Sequence, residues 1–318
     1  MTPKLYCIFI QTMHAIPILV GTASWTDPTL LACGRFYPPH AAQHAQARLA
    51  YYATRFPMVE VDAGYYALFD PMTAYRWAQR TPPGFVFNVK AHRLFTGHGA
   101  PPQALPADLR RELPARVPGT LYYRHLPPDV RRELWARFLL ALEPLRQAGK
   151  LGVLLFQFAP WVRPDAAGRA HIAHCVAMSQ GLDCAIELRR HEWLAGAQQA
   201  ATLAFERELG AAHVVVDSPQ GFENTVAPVW QATRDDLAVV RLHGRNAANW
   251  NAPASGASSG RFRYEYSEQE LAELARRAGQ LADRLRAGKL HVVLNTNYRD
   301  QGVRNASGFM QALAALPR

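Results

Sequence analysis

Eight short apolar runs, each ending on a polar, charged or small residue, constrain the fold of this chain more than any other feature. They are IPILVGT, ending near Thr22; PMVEVD, with Glu60 and Asp62; GFVFNVK, ending at Lys90; LGVLLFQF, with Gln157; DCAIEL, with Glu187; AHVVVD, ending at Asp217; LAVVRLHG, with Arg241 and His243; and LHVVLNTN, with Asn295. Most are unbroken in Val, Ile and Leu instead of alternating, which is how parallel strands covered on both faces read. Stretches with helical spacing separate most of them. Eight strand–helix units predict an α/β fold, a single (β/α)8 barrel of the TIM type. Side chains at the carboxyl ends of its strands would then share one mouth.

Residues 41–56, 71–80, 128–147, 165–180 and 197–209 read as the intervening helices, the second opening on a proline suited to a first turn and closed by the TPPG turn. The sixth helix is expected to be short or missing. Ser267 with Glu270 three residues on forms a capping box ahead of the seventh, and the eighth is expected from about Asn305. Two departures from a plain barrel stand out. Residues 92–128 are proline-rich and too long for a simple connection, so they predict a lid-like insertion after strand three. The Gly/Ala/Ser tract in NAANWNAPASGASSGRFRYEYS predicts a mobile loop after strand seven. Residues 1–16 read as a leader that is disordered or a mis-assigned start, with translation beginning at Met13. Residues 17–318 read as one domain.

Composition narrows the class. Hydrophobic residues make up 49% of the chain and charged residues 19%, as in ordinary globular proteins, and no apolar run approaches the roughly 18 residues of a membrane span. No membrane partner is expected. Cys7, Cys33, Cys175 and Cys184 are scattered without CxxC spacing, which argues against a zinc knuckle or a disulfide framework and for reduced thiols in a cytoplasm. The net charge of +10 comes from 35 basic and 25 acidic residues, and only four of the basic ones are lysines. Of those four, Lys90 alone ends a strand.

The candidate site follows from the strand ends. Glu60 and Glu187 sit in apolar runs where an unpaired carboxylate would be costly, so each needs a partner, and each could move protons. His243 is the natural proton shuttle near neutral pH, and Arg241 shares its face by alternation. These make Glu60, Glu187 and His243 the candidate catalytic groups. Lys90 and Arg241 would hold an anion, or neutralise the two carboxylates. Gln157, Asp217 and Asn295 could orient a substrate, and Tyr264 lies in a polar loop that could close over it. Glu60, Glu187, Asp217 and His243 could also supply a metal site. No HxH or HExxH motif supports that, and Lys90 and Arg241 would repel a cation, so a divalent metal is disfavoured and no organic cofactor is expected.

Several signatures, GTASW, RLAYYATRFPMVEVDAGYY, RWAQRTPPGFVFNVKAHRLFT, LLFQFAP, IELRRHEW, RLHGRN, RYEYS and NTNYRDQGVRNA, closely resemble the domain-of-unknown-function family 72, the YecE-like proteins, over about residues 18–313. The resemblance implies a TIM-barrel fold and no established activity. The chain departs from the family's usual pattern at Asp62, after the strand-two acid, and at Asn295-Thr296-Asn297, where two adjacent Asn are usual.

The expected function is an enzyme that acts on a small anionic substrate, phosphorylated or sugar-like, by acid/base chemistry at the barrel mouth. A nucleic-acid-binding or repair-type metal-dependent phosphodiesterase is the alternative, since a basic chain can grip phosphates. A non-enzymatic ligand-binding barrel is the third reading.

Overall fold

A computed structural model describes residues 16–114, 119–252 and 260–316. Eight strands follow the eight apolar runs: β1 (Ile18–Thr22), β2 (Met58–Val61), β3 (Val86–Lys90), β4 (Leu151–Gln157), β5 (Cys184–Glu187), β6 (Ala212–Asp217), β7 (Leu237–Leu242) and β8 (Lys289–Leu294). All neighbours pair in parallel in the order β1-β8-β7-β6-β5-β4-β3-β2, and helices lie between most of them. The result is a nearly closed TIM-type barrel.

The ring meets itself between β1 and β2, where the ladder shrinks to one parallel bridge, Ala23 to Glu60. The Tyr52 hydroxyl fills the seam below that bridge. It lies 2.9 Å from the Thr22 amide, 2.9 Å from Thr22 Oγ1 and 3.1 Å from the Met58 carbonyl, and so supplies partners that a full ladder would have given. Gly21 permits this approach, because a Cβ there would lie 2.2 Å from the Met58 carbonyl oxygen. A second irregularity is repaired in the same way. The β3–β4 register shifts between Phe87 and Val89, and the Asn88 side chain accepts from the Val153 amide at 3.1 Å and meets His291 Nδ1 at 3.0 Å across the barrel.

Burial follows the pleat. Outward-facing residues such as Val20, Val89, Ile186 and Leu242 belong to the large core, whereas Leu19, Ala23, Met58, Val86 and Val293 form a smaller apolar cluster on the inner face. The polar side chains of Glu60, Asn88, Glu187, Arg241, His243 and His291 share the interior with that cluster and are buried. The buried polar groups toward the strands' carboxyl ends position the site.

The helices match the expectations at Pro71–Gln79, Pro128–Gln147, Ala166–Met178, Gln198–Glu208 and Glu268–Ala282, the last with the Ser267–Glu270 capping box formed. No helix occurs in 218–236. The expected helix 41–56 is two pieces, Pro39–Ala42 and Ala45–Ala53, because His44 is extended and the Arg48 guanidinium takes the Ala42 carbonyl at 2.7 Å. The final helix starts at Gln301, ahead of the expected Asn305. Its first turn packs so closely that a Cβ on Gly302 would lie 3.0 Å from the Thr296 carbonyl. An unforeseen helix, Pro28–Cys33, is capped by Asp27 and ended by left-handed Gly34.

The 92–128 insertion is anchored, with Phe95 stacked on Trp135 of the helix Pro128–Gln147 at 3.7 Å between ring centroids. Residues 1–15 of the expected leader and residues 253–259 of the expected mobile loop lie outside the described residues. Among those described, Cys33, Cys175 and Cys184 are free thiols, and no helix is long and apolar enough to cross a membrane.

Tyr52→Phe would strand the Thr22 amide and the Met58 carbonyl inside the seam, so it is expected to lower unfolding free energy by about 1–3 kcal/mol in urea titrations. Gly21→Ala should cost more, because backbone must move.

Candidate functional site

Arg241, on β7, lies at the centre of the polar interior and is completely buried. Its guanidinium grips Glu60 of β2 with two hydrogen bonds, Nε to Oε2 at 3.0 Å and Nη2 to Oε1 at 2.5 Å, and donates through Nη1 to Glu187 of β5. Arg189, two residues beyond Glu187, adds a longer contact to it at 3.4 Å. The remaining Glu187 oxygen accepts from Gln157 Nε2 at 2.7 Å and pairs with His243 Nε2 at 3.0 Å. On the far side of the imidazole, Asn295 Nδ2 meets Nδ1 at 2.7 Å, and Asn297 Nδ2 donates to Asn295 Oδ1 at 3.1 Å. These contacts fit one tautomer, with the proton on Nε2 of His243 donated to Glu187 and Nδ1 accepting from the amide.

The electrostatics agree with that assignment. Burial pushes His243 down to about 4, against the opposing pull of Glu187, so its ring is neutral at pH 7. Burial would raise Glu187, but Arg241, His243 and Arg189 together hold it well below the usual carboxylate range. For Glu60 burial prevails, helped by nearby Asp62, and raises the carboxyl to about 7 against the pull of Arg241. Arg241 stays charged, because its two carboxylates outweigh its own burial.

A cavity of about 620 Å³ opens above this network, and residues at or beyond every strand's carboxyl end line it. Ala23 and Ser24 follow β1, Asp62 follows β2, Lys90 and Gln157 end β3 and β4, and Arg189 follows β5. Asn224 comes from the loop after β6, Arg261 and Phe262 from the loop after β7, and Asn295 and Asn297 from beyond β8. Tyr65, Tyr66, His98 and Trp161 complete the walls. Lys90 Nζ sits 4.3 Å over the Tyr65 ring and forms no ion pair with a carboxylate among the described residues. One oxygen of Asp62 is buried without a partner. Ser24, at φ +102°, occupies the left-handed region that costs a non-glycine residue about 1–3 kcal/mol and tends to occur at functional sites.

Of the residues expected from sequence, Glu60, Glu187, Arg241, His243, Gln157 and Asn295 converge in one network, and Lys90 joins Gln157 and Asn295 on the cavity wall. Glu60, Glu187, His243 and Arg241 are at most 1% exposed, bonded to one another and absent from the cavity lining, so they lie beneath its floor. Neutralisation of the two acids falls to Arg241 instead of Lys90, because only Arg241 lies between them. Asp217 is displaced altogether. It shares register with outward-facing Leu242, so the pleat turns it away from Arg241, and Arg245 and the Tyr266 hydroxyl take its oxygens. Tyr264 bonds Glu270 at 2.7 Å and does not line the cavity.

The metal arrangement from Glu60, Glu187, Asp217 and His243 does not form either. A guanidinium fills the space between the two glutamates, Asp217 faces elsewhere, and no group of three or more His, Cys, Asp or Glu suited to a metal occurs among the described residues. Unlike the loop residues Asn224 and Arg261, three cavity residues left out of the expected site list carry a sequence signal: Asp62, Arg189 and Asn297. Each follows a network residue by two positions, after Glu60, Glu187 and Asn295, so continued alternation past the strand end would have found all three.

A family model described as "Protein of unknown function DUF72" matches residues 19–318. The chain belongs to this family. A curated relative, UPF0759 protein YunF of Bacillus subtilis, is 30% identical over 298 residues, covering 93% of this chain and 94% of that protein. Among solved structures, a DUF72 family protein of Enterococcus faecalis superposes with a TM-score of 0.75 at 23% identity, covering 95% of this chain and 97% of that one. Another, from Thermotoga maritima, gives 0.71 at 25% identity, covering 93% and 98%. The DUF72 relationship thus fixes the barrel, and the chemistry must be argued from the cavity.

Arg241→Met would leave two buried carboxylates without their counter-charge, and a loss of about 3–5 kcal/mol is expected in denaturant titrations. The pH dependence has a definite sign. Burial depresses His92 and His243 to about 4 and His98 and His291 to about 3, from 6.5. The unfolded chain therefore binds more protons than the folded one below pH 6.5, and stability should fall as pH drops from 6.5 towards 4. Glu60, raised from 4.5 to about 7, opposes this as one group against four. The denaturation midpoint followed between pH 7.5 and 4.5 checks the sign.

Proposed function

We propose that this DUF72 barrel is an enzyme that binds a small phosphorylated or sugar-like anion in its mouth and reacts it by proton transfer. The observation that carries the reading is the convergence of Lys90, Arg189 and Arg261 on one polar cavity, with Lys90 free of any carboxylate ion pair among the described residues. A cation so placed is available to an incoming anion. The guanidinium of Arg189 offers a planar fork suited to phosphate or carboxylate oxygens.

The amides of Gln157 and Asn295, with Asn224 and Asn297, supply donors and acceptors for hydroxyl groups. Two of these amides are already fixed in direction: Gln157 by Glu187 and Asn295 by His243. Glu60, Arg241, Glu187 and His243 thus act in this reading as positioning residues one layer down. Their mutual bonds hold the amides in place and keep the charge beneath the floor balanced. Proton transfer to or from the ligand falls to Asp62, a carboxylate of the cavity wall with one buried oxygen that has no partner.

The test is calorimetric titration with ribose 5-phosphate and inorganic phosphate, followed by a turnover screen over sugar phosphates. Lys90→Met should weaken phosphate-bearing ligands by roughly 10-fold or more, the scale of one lost charge-assisted contact. Asp62→Asn should lower kcat by about 10²–10⁴-fold with little change in KM. Unchanged affinity in Lys90→Met would rule out the anion site. Binding without turnover of any probe would instead make the barrel a ligand-binding protein.

A further inference from the structure

The main cavity does not end at its own rim. A second cavity, of about 600 Å³, lies beside it, lined by Tyr122, Tyr123, Arg124 and Arg131 together with Gly97 and Trp161. Trp161 belongs to both cavities, and Gly97 of the second is followed directly by His98 of the first. The partition between them is therefore one indole and one turn of backbone, with the Trp161 Nε1 donating to the Gly97 carbonyl at 2.9 Å.

The second cavity is chemically unlike the first. Its walls are mainly ring faces: Trp161 is 54% exposed, an unusual state for so large an apolar side chain, and its ring centroid lies 6.4 Å from that of Tyr122 at 77°. Exposed aromatic faces that meet at an angle suit a flat ring better than a flexible or branched group. Its cations meet carbonyls and ring faces, with Arg131 5.1 Å over the Tyr123 ring. Arg131 gives Nε and Nη2 to the carbonyls of Leu126 and Arg124, and Arg124 lies 5.5 Å over the Tyr122 ring; neither forms an ion pair with a carboxylate among the described residues. Aromatic faces beside unpaired guanidiniums make a platform for an electron-rich planar ring that belongs to an anion.

We propose that the two cavities form one bipartite site for a nucleotide-type ligand, with its phosphate and sugar in the barrel mouth and its flat ring in the outer cavity. The proposal rests on the anion-binding reading of the mouth and adds the ring-bearing ligand class. Residues of the insertion after β3, Tyr122 to Arg124, would then set specificity while the strand-end residues hold the anion.

The experiment compares adenosine 5′-monophosphate, ribose 5-phosphate and adenosine by calorimetry on the full-length protein, wild type and the variants Tyr122→Ala and Arg124→Ala, which alter only the outer cavity. The monophosphate is expected to bind at least about 10-fold more tightly than ribose 5-phosphate, the scale of one base stacked on an aromatic ring. Each variant should remove most of that advantage and leave ribose 5-phosphate within about twofold, with melting temperature as the control for folding. Equal affinity for the two phosphates, or an advantage that survives both variants, overturns the bipartite site and leaves the anion site standing. Adenosine binding as tightly as the monophosphate would also overturn it, because the ring would then be held without the mouth. If neither phosphate binds, both readings fail together.

Discussion

The guanidinium of Arg241, held between Glu60 and Glu187 in the middle of the barrel, is the interaction on which the rest of the molecule depends. A guanidinium and two carboxyl groups taken out of water are tolerable there only because each is matched at hydrogen-bond distance and because Gln157, Arg189 and His243 complete the set around Glu187. Strands β2, β5 and β7 are far apart in sequence and separated around the ring, so this one side chain cross-links the barrel from within. Such a network adds less to stability than an apolar core of equal volume, but it specifies geometry: any other arrangement of these strands would leave a bare charge inside.

Closure of the ring has its own device, and the two are linked. The weakest junction, β1 with β2, is held by the Ala23–Glu60 bridge and the Ser24 amide on the Glu60 carbonyl, with the Tyr52 hydroxyl below. Glu60 therefore serves the seam through its backbone and the charge network through its side chain. The left-handed Ser24 follows directly from this crowding, and it brings a serine hydroxyl to the cavity wall.

The interior is tiered. The Asn88–His291 pair lies lower, with His291 two residues before Val293 on β8; the Arg241 network, level with Val293 in the β7–β8 register, comes next, and then the open cavity. The dielectric environment changes along this axis, and so do the ionisable groups: His291 and His243 are held neutral, Glu187 ionised, and only the uppermost tier meets solvent. Function in this reading belongs to that upper tier, which the lower tiers aim and hold rigid. The insertion that packs on the helix Pro128–Gln147 extends the wall outward and turns a barrel mouth into a longer binding surface.

By itself the sequence determined the strands, most helices, their parallel order and the family, because continuous apolar runs, capping boxes and first-turn prolines act over a few neighbouring residues. It also determined which groups share a face within a strand, as with Arg241 and His243. Depth and register belonged to the tertiary structure. Alternation puts Asp62 and Arg189 on the same face as Glu60 and Glu187, but nothing local says which pair lies beneath the floor and which reaches the cavity, or that Asp217, in register with Leu242, faces outward. Those facts depend on the stagger with which eight strands close into a ring, and that stagger is set by contacts between different strands and helices, as far as 181 positions apart for Glu60 and Arg241: two carboxylates that must meet one arginine, and a tyrosine that must reach across a seam.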